Sequence, residues 1–324
     1  MSAAPALEAR IVLSWTAAED PAAAWDVAGE SERARAARTA AILRSLGARA
    51  LARGDRDYPA ALLDLRDAPR VVFVRGALPE RERAVAIVGS RAASPYGIAQ
   101  AVALASGLAR LGYAIVSGLA RGIDAAAHRG ALEAGGASVA VLPGGLDDVT
   151  PRHHAALADS LCARGGLLTE RASGPPPHPS TFLDRNRLIA ALAAATVVVE
   201  AAARSGALAT AAAARRLGRP VLAVPGDVDR ETSRGAHALI REGAAICEQV
   251  GDVLCVLPRS ERPAPSAAAA FRLRAALGTT SRTVEELARV AELPVDETLA
   301  LLLELEWAGA ARALPGQRWR MSRP

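Results

Sequence analysis

The sequence predicts an α/β fold built on a parallel, doubly wound sheet, and three observations carry that prediction. Short apolar runs alternate with longer stretches of helical spacing between residues 85 and 224. The runs are apolar throughout, as strands covered on both faces must be. Each run ends in a turn rich in Gly, Ser or Arg, where the chain can leave a strand and start a helix.

In order, the predicted strands are 85–88, 114–116, 138–142, 167–169, 197–199 and 221–224, and the helices between them are 96–111, 125–134, 152–163, 183–193 and 208–217. This is a Rossmann-like core, placed at 76–257. Upstream, 10–52 has helical spacing, whereas Tyr58-Pro59 and 71–74 suggest an extended element. A small, mostly helical domain is therefore expected over 1–75. Downstream, three prolines among small residues mark 258–269 as a linker. The tail reads as helices at 270–277, 283–291 and 296–307, a turn at Pro294 and a hairpin around Pro315-Gly316, the plan of a winged helix over 270–324.

Composition narrows the chemistry. All 39 residues counted as Lys plus Arg are Arg, so a Walker A lysine, a Schiff-base lysine and a kinase-type lysine are all excluded. A GC-rich coding bias explains both this and the alanine excess. Hydrophobic residues make up 51%, ample for a core, but aromatics only 3%, so base stacking has few platforms. The net charge of +5 is spread along the chain. A nucleic-acid site must then come from local clustering.

Three cysteines show no Cys-x-x-Cys spacing and five histidines no His-x-x-x-His pair, so neither a zinc site nor a disulfide framework is expected. No cofactor is expected either. The N-terminus lacks a signal-peptide pattern, and no uncharged apolar stretch reaches the ~18 residues of a membrane span. The expectation is a soluble, cytoplasmic protein that does not engage membranes.

Ligands of doubly wound sheets bind beyond the carboxyl ends of the strands. The turns expected there contain Gly89-Ser90-Arg91, Ser117-Gly118 with Arg121-Gly122, Gly144-Gly145 followed by Arg152, Glu170, Arg185-Asn186-Arg187, Glu200, Ser205-Gly206 and Pro225-Gly226. Glycine lets backbone N–H groups approach an anion, a helix N-terminus favours negative charge, and Arg supplies a fork of donors suited to phosphate. One phosphate needs one cradle. Several arginines on separate turns suit a ligand with phosphates in a row, such as single-stranded nucleic acid.

The strings Val-Gly-Ser-Arg, Ser-Gly-Leu-Ala-Arg-Gly-Ile-Asp-Ala-Ala-Ala-His, Phe182-Leu-Asp-Arg-Asn-Arg-Leu-Ile189, Ser205-Gly-Ala-Leu-Ala-Thr-Ala211 and Val224-Pro-Gly226 closely resemble the DNA-processing family called DprA or Smf, in collinear order over about residues 55–255. The resemblance implies a non-enzymatic protein, usually dimeric. It would bind incoming single-stranded DNA during natural transformation, protect it and load a RecA-type recombinase. By position, Arg91, Arg121, Arg152, Arg185, Asn186 and Arg187 would line the DNA path, with Gly89, Ser90, Ser117, Gly118 and Gly122 shaping it. The N-terminal region would be sterile-alpha-motif-like. The chain departs from the family at Thr150-Pro151-Arg152-His153-His154, where relatives usually have Tyr-Pro and a nearby Asn, so a stacking contact would be lost.

Simpler roles stand beside these. Gly118, Gly122, Gly144 and Gly145 suit ordinary strand-to-helix turns. Asp124 is expected to cap the next helix, and His128, four residues on, to pair with it. Glu170 and Glu200 are expected to orient rim arginines, or alternatively to form an acid–base pair. The third tail helix carries Asp296, Glu297, Glu304 and Glu306, which would repel duplex phosphates, so the winged helix is expected to contact protein. The amphipathic stretch 236–246 is a candidate dimer or recombinase surface. The competing enzyme reading is a phosphoribohydrolase of the lysine-decarboxylase-like group. Pro143-Gly144-Gly145 starts its loop, but Leu146-Asp147-Asp148 replaces the Gly-Thr-x-x-Glu half. A nucleotide-sensing transcription regulator is a third reading.

Overall fold

Strands that are apolar on both sides are stable only between two helix layers, and the chain places them there. The computed structural model describes residues 6–174, 176–257, 267–278, 280–307, 309–314 and 318–322. The chain forms two compact units, 1–257 and 258–324.

The first unit is built on one nine-stranded sheet of β1 (Arg49–Ala52), β2 (Val71–Gly76), β3 (Ala84–Gly89), β4 (Ala114–Ser117), β5 (Ser138–Val141), β6 (Gly166–Thr169), β7 (Ala195–Val199), β8 (Val221–Ala223) and β9 (Ala245–Ile246). Their spatial order is β1-β2-β6-β5-β4-β3-β7-β8-β9. Strands β3 to β9 run parallel, and β2 pairs antiparallel with both β6 and β1. From β3 the chain winds outward to β6, then returns to the other side of β3 as β7. The order therefore reverses between β3 and β7, and a doubly wound sheet opens its crevice at that point.

Helices α1 (Ala6–Leu13), α2 (Pro21–Val27) and α3 (Glu30–Ser45) precede β1. The crossovers are α4 (Pro95–Arg110), α5 (Ile123–Glu133), α6 (Ala155–Leu161), α7 (Pro179–Ala191), α8 (Gly206–Arg216) and α9 (Arg234–Arg241), and α10 (Val250–Val256) closes the unit. Alternate residues of each strand enter opposite cores. Ala84, Ala86 and Val88 of β3 pack with Leu188, Ile189 and Ala211 of α7 and α8, while Val85 and Ile87 pack with Leu104, Leu108 and Ala127 of α4 and α5.

All six predicted parallel strands form, as does the doubly wound order. The boundary expected at residue 75 does not separate a domain, because β2 bonds to β6 through Phe73↔Thr169 to Gly76↔Gly166 and carries β1 with it. The stretch read as helical over 10–52 resolves into α1–α3 and, at its end, strand β1. Glycine and small polar residues between helices, together with Pro21 at the first position of α2, break it. The stretch 236–246 offers less free surface than its amphipathic pattern suggested. Its apolar residues Ala236 and Leu239 are buried in this chain's own core, against β8.

The second unit contains α11 (Ala267–Ala276), α12 (Val284–Ala291) and α13 (Val295–Trp307), with a three-stranded sheet of β10 (Arg282–Thr283), β11 (Ala311–Leu314) and β12 (Arg318–Met321) in the order β10-β12-β11. It is a winged helix around Leu273, Leu287, Leu302 and Trp319. Thr283 and Glu286 start α12 with a reciprocal capping box, at 3.2 and 2.8 Å. The linker residues 258–266 and the hairpin tip at 315–317 lie outside the described residues, as do the side chains of Asp296 and Glu304. Glu306 is committed to the wing, where its Oε1 accepts the Ala313 N–H at 2.9 Å. One of the four carboxylates of the third tail helix is thus engaged within its own unit. Among the described residues, no helix is long and apolar enough to cross a membrane.

Candidate nucleic-acid interface

The carboxyl ends of β3 and β4 meet closely enough to require glycine. A side chain on Gly122 (φ 75°) would strike the Ser90 carbonyl, and one on Gly89 would strike the carbonyl of Val199. The Ser90 carbonyl also accepts the Ile123 N–H at 3.1 Å, so the turn after β3 is tied to the start of α5. Ser117 is fully buried and donates to the Ile87 carbonyl at 2.6 Å. These two turns form one rigid ledge.

Arg185 does not line a solvent-facing path. Its residue is 4% exposed, and its guanidinium donates to the carbonyls of Gly118, at 2.8 Å, and Val141. From α7 it thus reaches under the ends of β4 and β5 and holds both. Burial pulls it down to about 10, so it keeps its charge at neutral pH. Asn186, also buried, accepts from Arg185 Nε at 3.3 Å and donates to the Gly206 carbonyl at 3.0 Å, joining α7 to α8. Arg187 is clamped between Glu170, at 2.6 Å, and Asp67, at 2.8 Å, with a side chain 19% exposed. Two carboxylates offset its charge, so a phosphate gains little there.

Arg91, Arg121 and Arg152 are exposed. The Arg91 guanidinium lies 4.6 Å from the centroid of the Phe182 ring, a cation–π pair at the mouth of the crevice. Arg121 makes no ion pair among the described residues, and Arg152 has a side chain 91% exposed with Asp148 at 3.8 Å. Two more exposed arginines occupy equivalent turns, Arg171 after β6 and Arg204 after β7. In spatial order, the turns after β6, β5, β4, β3 and β7 carry Arg171, Arg152, Arg121, Arg91 and Arg204. At ~4.8 Å per strand, they span roughly 19 Å of sheet.

Glu170 and Glu200 do not form an acid–base pair. Four strand intervals separate β6 from β7, about 19 Å, beyond the reach of any shared reacting group. Glu170 does hold an arginine, Arg187, but one that lies beneath the exposed row. Glu200 instead binds Ser94 at the start of α4. Asp124 does not cap α5, whose N-cap is Gly122. Its Oδ2 accepts the Ala120 N–H at 3.3 Å, and burial raises its carboxyl above the usual range, against the opposing pull of Arg185. His128 pairs with Ser138 across the α5–β5 contact at 2.7 Å and not with Asp124. The Gly144-Gly145 turn is closed. Side chains there would meet Pro177 at 2.9 Å and the Ala172 carbonyl at 3.0 Å.

The model of the DNA recombination-mediator protein A family matches residues 49–258, and that of the DprA winged helix domain matches 258–317. The chain belongs to the DNA recombination-mediator protein A family. Among curated DprA and Smf proteins it is 40% identical to Protein Smf of Escherichia coli K12 over 282 residues, 82% of this chain and 75% of that one. It is 41% identical to the DNA processing protein DprA of Streptococcus pneumoniae R6 over 201 residues, 62% and 71% of the two chains. With the putative DNA processing protein DprA of Mycobacterium tuberculosis H37Rv it shares 41% identity over 253 residues, 74% of this chain, and spans only 65% of that relative's length. The solved S. pneumoniae DprA is similar in fold, with TM-score 0.63 and 33% identity over 75% of this chain and 84% of that one. The DprA of Helicobacter pylori, solved in work on its single-stranded DNA binding mode, gives TM-score 0.58 and 27% identity over 65% and 95%.

Within this DprA-family fold, sequence reasoning missed Phe182 as part of the rim, although it opens a motif that was read. It also passed over Arg171 and Arg204. The signal for both arginines was available, since each follows a strand-ending Glu within a few residues.

Proposed function

We propose that this DprA-family chain binds single-stranded DNA along the rim formed by Arg171, Arg152, Arg121, Arg91 and Arg204, with Phe182 offering a ring for a base. The observation that carries this reading is the row of exposed guanidinium groups after five adjacent strands. Phosphates in series are matched by cations in series, whereas a free nucleotide would use one. Similarity to a DprA whose single-stranded DNA binding mode has been solved supports it. Gly89, Ser90, Ser117, Gly118 and Gly122 shape the ledge, and Arg185, Asn186 and Arg187 hold it. The chain acts without catalysing a reaction, in the cytoplasm, as a homodimer that protects incoming DNA and passes it to a RecA-type recombinase.

A gel-shift series with single-stranded and duplex oligonucleotides of equal length, with and without a RecA-type protein, tests the reading. Single strands of any sequence should bind more tightly than duplex, and a supershift should appear with the recombinase. Equal binding to duplex would overturn it.

A further inference from the structure

The N-terminus of α4, a sixteen-residue helix that starts just past β3, faces the point where the strand order reverses. In a doubly wound sheet, backbone N–H groups and the helix dipole there await the phosphate of a mononucleotide. In this chain that place already holds a negative charge. Glu200 Oε2 accepts the Ser94 N–H at 2.8 Å, and Oε1 accepts the Ser94 hydroxyl. The main-chain oxygen of Glu200 accepts the Ser90 N–H at 2.8 Å. In the first turn of the helix, the position of a β-carbon on Gly97 lies 2.6 Å from the Glu200 carboxylate. The Gly97 N–H itself is bound by Ser94 Oγ at 3.1 Å.

Glu200 reaches this position from an unusual backbone. Its φ is 52°, in the left-handed region that side-chain-bearing residues rarely adopt, and the residue is only 4% exposed. Helix capping alone does not call for such an arrangement, since Ser94 already caps α4 through Gly97. The carboxylate adds a full negative charge from another strand, positioned as a phosphate oxygen would be.

We propose that Glu200 is a specificity-determining residue, an internal phosphate mimic that closes the α4 N-terminus to inorganic phosphate and nucleoside monophosphates. The N–H groups of Ser90, Ser94 and Gly97 are engaged and a like charge stands among them, so a free phosphate is repelled at the switch point. Phosphates are left to the arginines outside it. The inference concerns only the α4 terminus and stands whether or not the rim binds DNA.

The test follows the amide resonances of Ser94 and Gly97 in the full-length protein during titration with inorganic phosphate and, separately, with AMP. In the wild type they should not move. In Glu200→Gly, which removes the carboxylate and suits the positive φ, they should move saturably, with Kd of about 1 mM and at least roughly tenfold tighter than any wild-type response. Glu200→Ala is the second variant, and each variant's fold is checked by its thermal midpoint. Saturable movement in the wild type overturns the proposal, as does a folded variant whose amides ignore phosphate. Should neither variant fold, the wild-type titration decides alone: silence supports the proposal and movement sinks it.

Discussion

The guanidinium of Arg185 fills the space that a β-carbon on Gly118 would need, with its Cζ 2.7 Å from that position and the Asp124 carboxylate equally near. Gly118 is thus a glycine because a buried arginine passes beneath its turn, and the two form one structural unit. Any ligand contact of the Ser117–Gly122 turn depends on this support.

Gly118→Ala should therefore behave as a core mutation. The added methyl must displace a buried charge from its carbonyl partners, at a cost of about 3 kcal/mol. Arg185→Ala should cost a similar amount by orphaning the carbonyls of Gly118 and Val141. Both are read as losses in the thermal midpoint of the first unit. An Arg185→Ala protein with wild-type stability and weaker DNA binding would return Arg185 to the path.

Removing an exposed rim arginine should have the opposite signature. Arg91→Ala, Arg121→Ala and Arg152→Ala should leave stability nearly unchanged, and each should lower the steepness of log K against log salt by about 0.7 for a single strand. Arg187→Ala should leave the slope unchanged, because Asp67 and Glu170 already offset that charge, and should lower stability. Oligonucleotide titrations at several salt concentrations separate the two classes.

Phe182→Ala tests stacking apart from charge. Loss of one base platform should weaken single-strand affinity by ~1–3 kcal/mol with the salt slope intact. An unchanged affinity would mean the ring serves only to hold Arg91.

His128 gives a pH dependence. Ser138 Oγ donates to the Ile115 carbonyl at 2.9 Å, so His128 must donate through Nδ1 to Ser138, leaving a buried Nε2 without a partner. Burial, the largest cause, with the nearby His154 and Arg185, lowers this histidine to about 3. Its folded value lies below its unfolded one, so the unfolded chain binds the extra proton. The stability is present above pH ~6.5 and falls as pH drops toward about 3, by roughly 1.4 kcal/mol per unit. Unfolding midpoints of wild type and His128→Gln between about pH 4 and 7 should diverge in slope, the variant being flatter.

Deleting 258–324 should change single-strand Kd by less than about tenfold, or ~1.4 kcal/mol, because every rim arginine belongs to the first unit. A larger loss would place the winged helix on the DNA.

The sequence by itself determined the parallel core. Its strands are short apolar runs and its helices have regular apolar spacing, both local signals that survive without knowledge of contacts. It also placed the strand-end turns together, since turns after parallel strands gather on one edge whatever the packing, and it marked the family through an ordered set of those turns. Tertiary structure alone decided which charges face water. Arg185 and Arg187 look equivalent to Arg91 and Arg121 in a string of letters. Yet the first is sunk under two strand ends and the second lies between two carboxylates from distant segments, Asp67 and Glu170. Whether a guanidinium is a strut or a binding group depends on the partners that folding brings to it, and those partners lie on other elements, from 17 residues away for Glu170 to 67 for Gly118 and further still for Asp67. Helix α3 and strand β1 were merged in the sequence reading for the same reason. Four residues become a strand only because β2 is there to receive their hydrogen bonds.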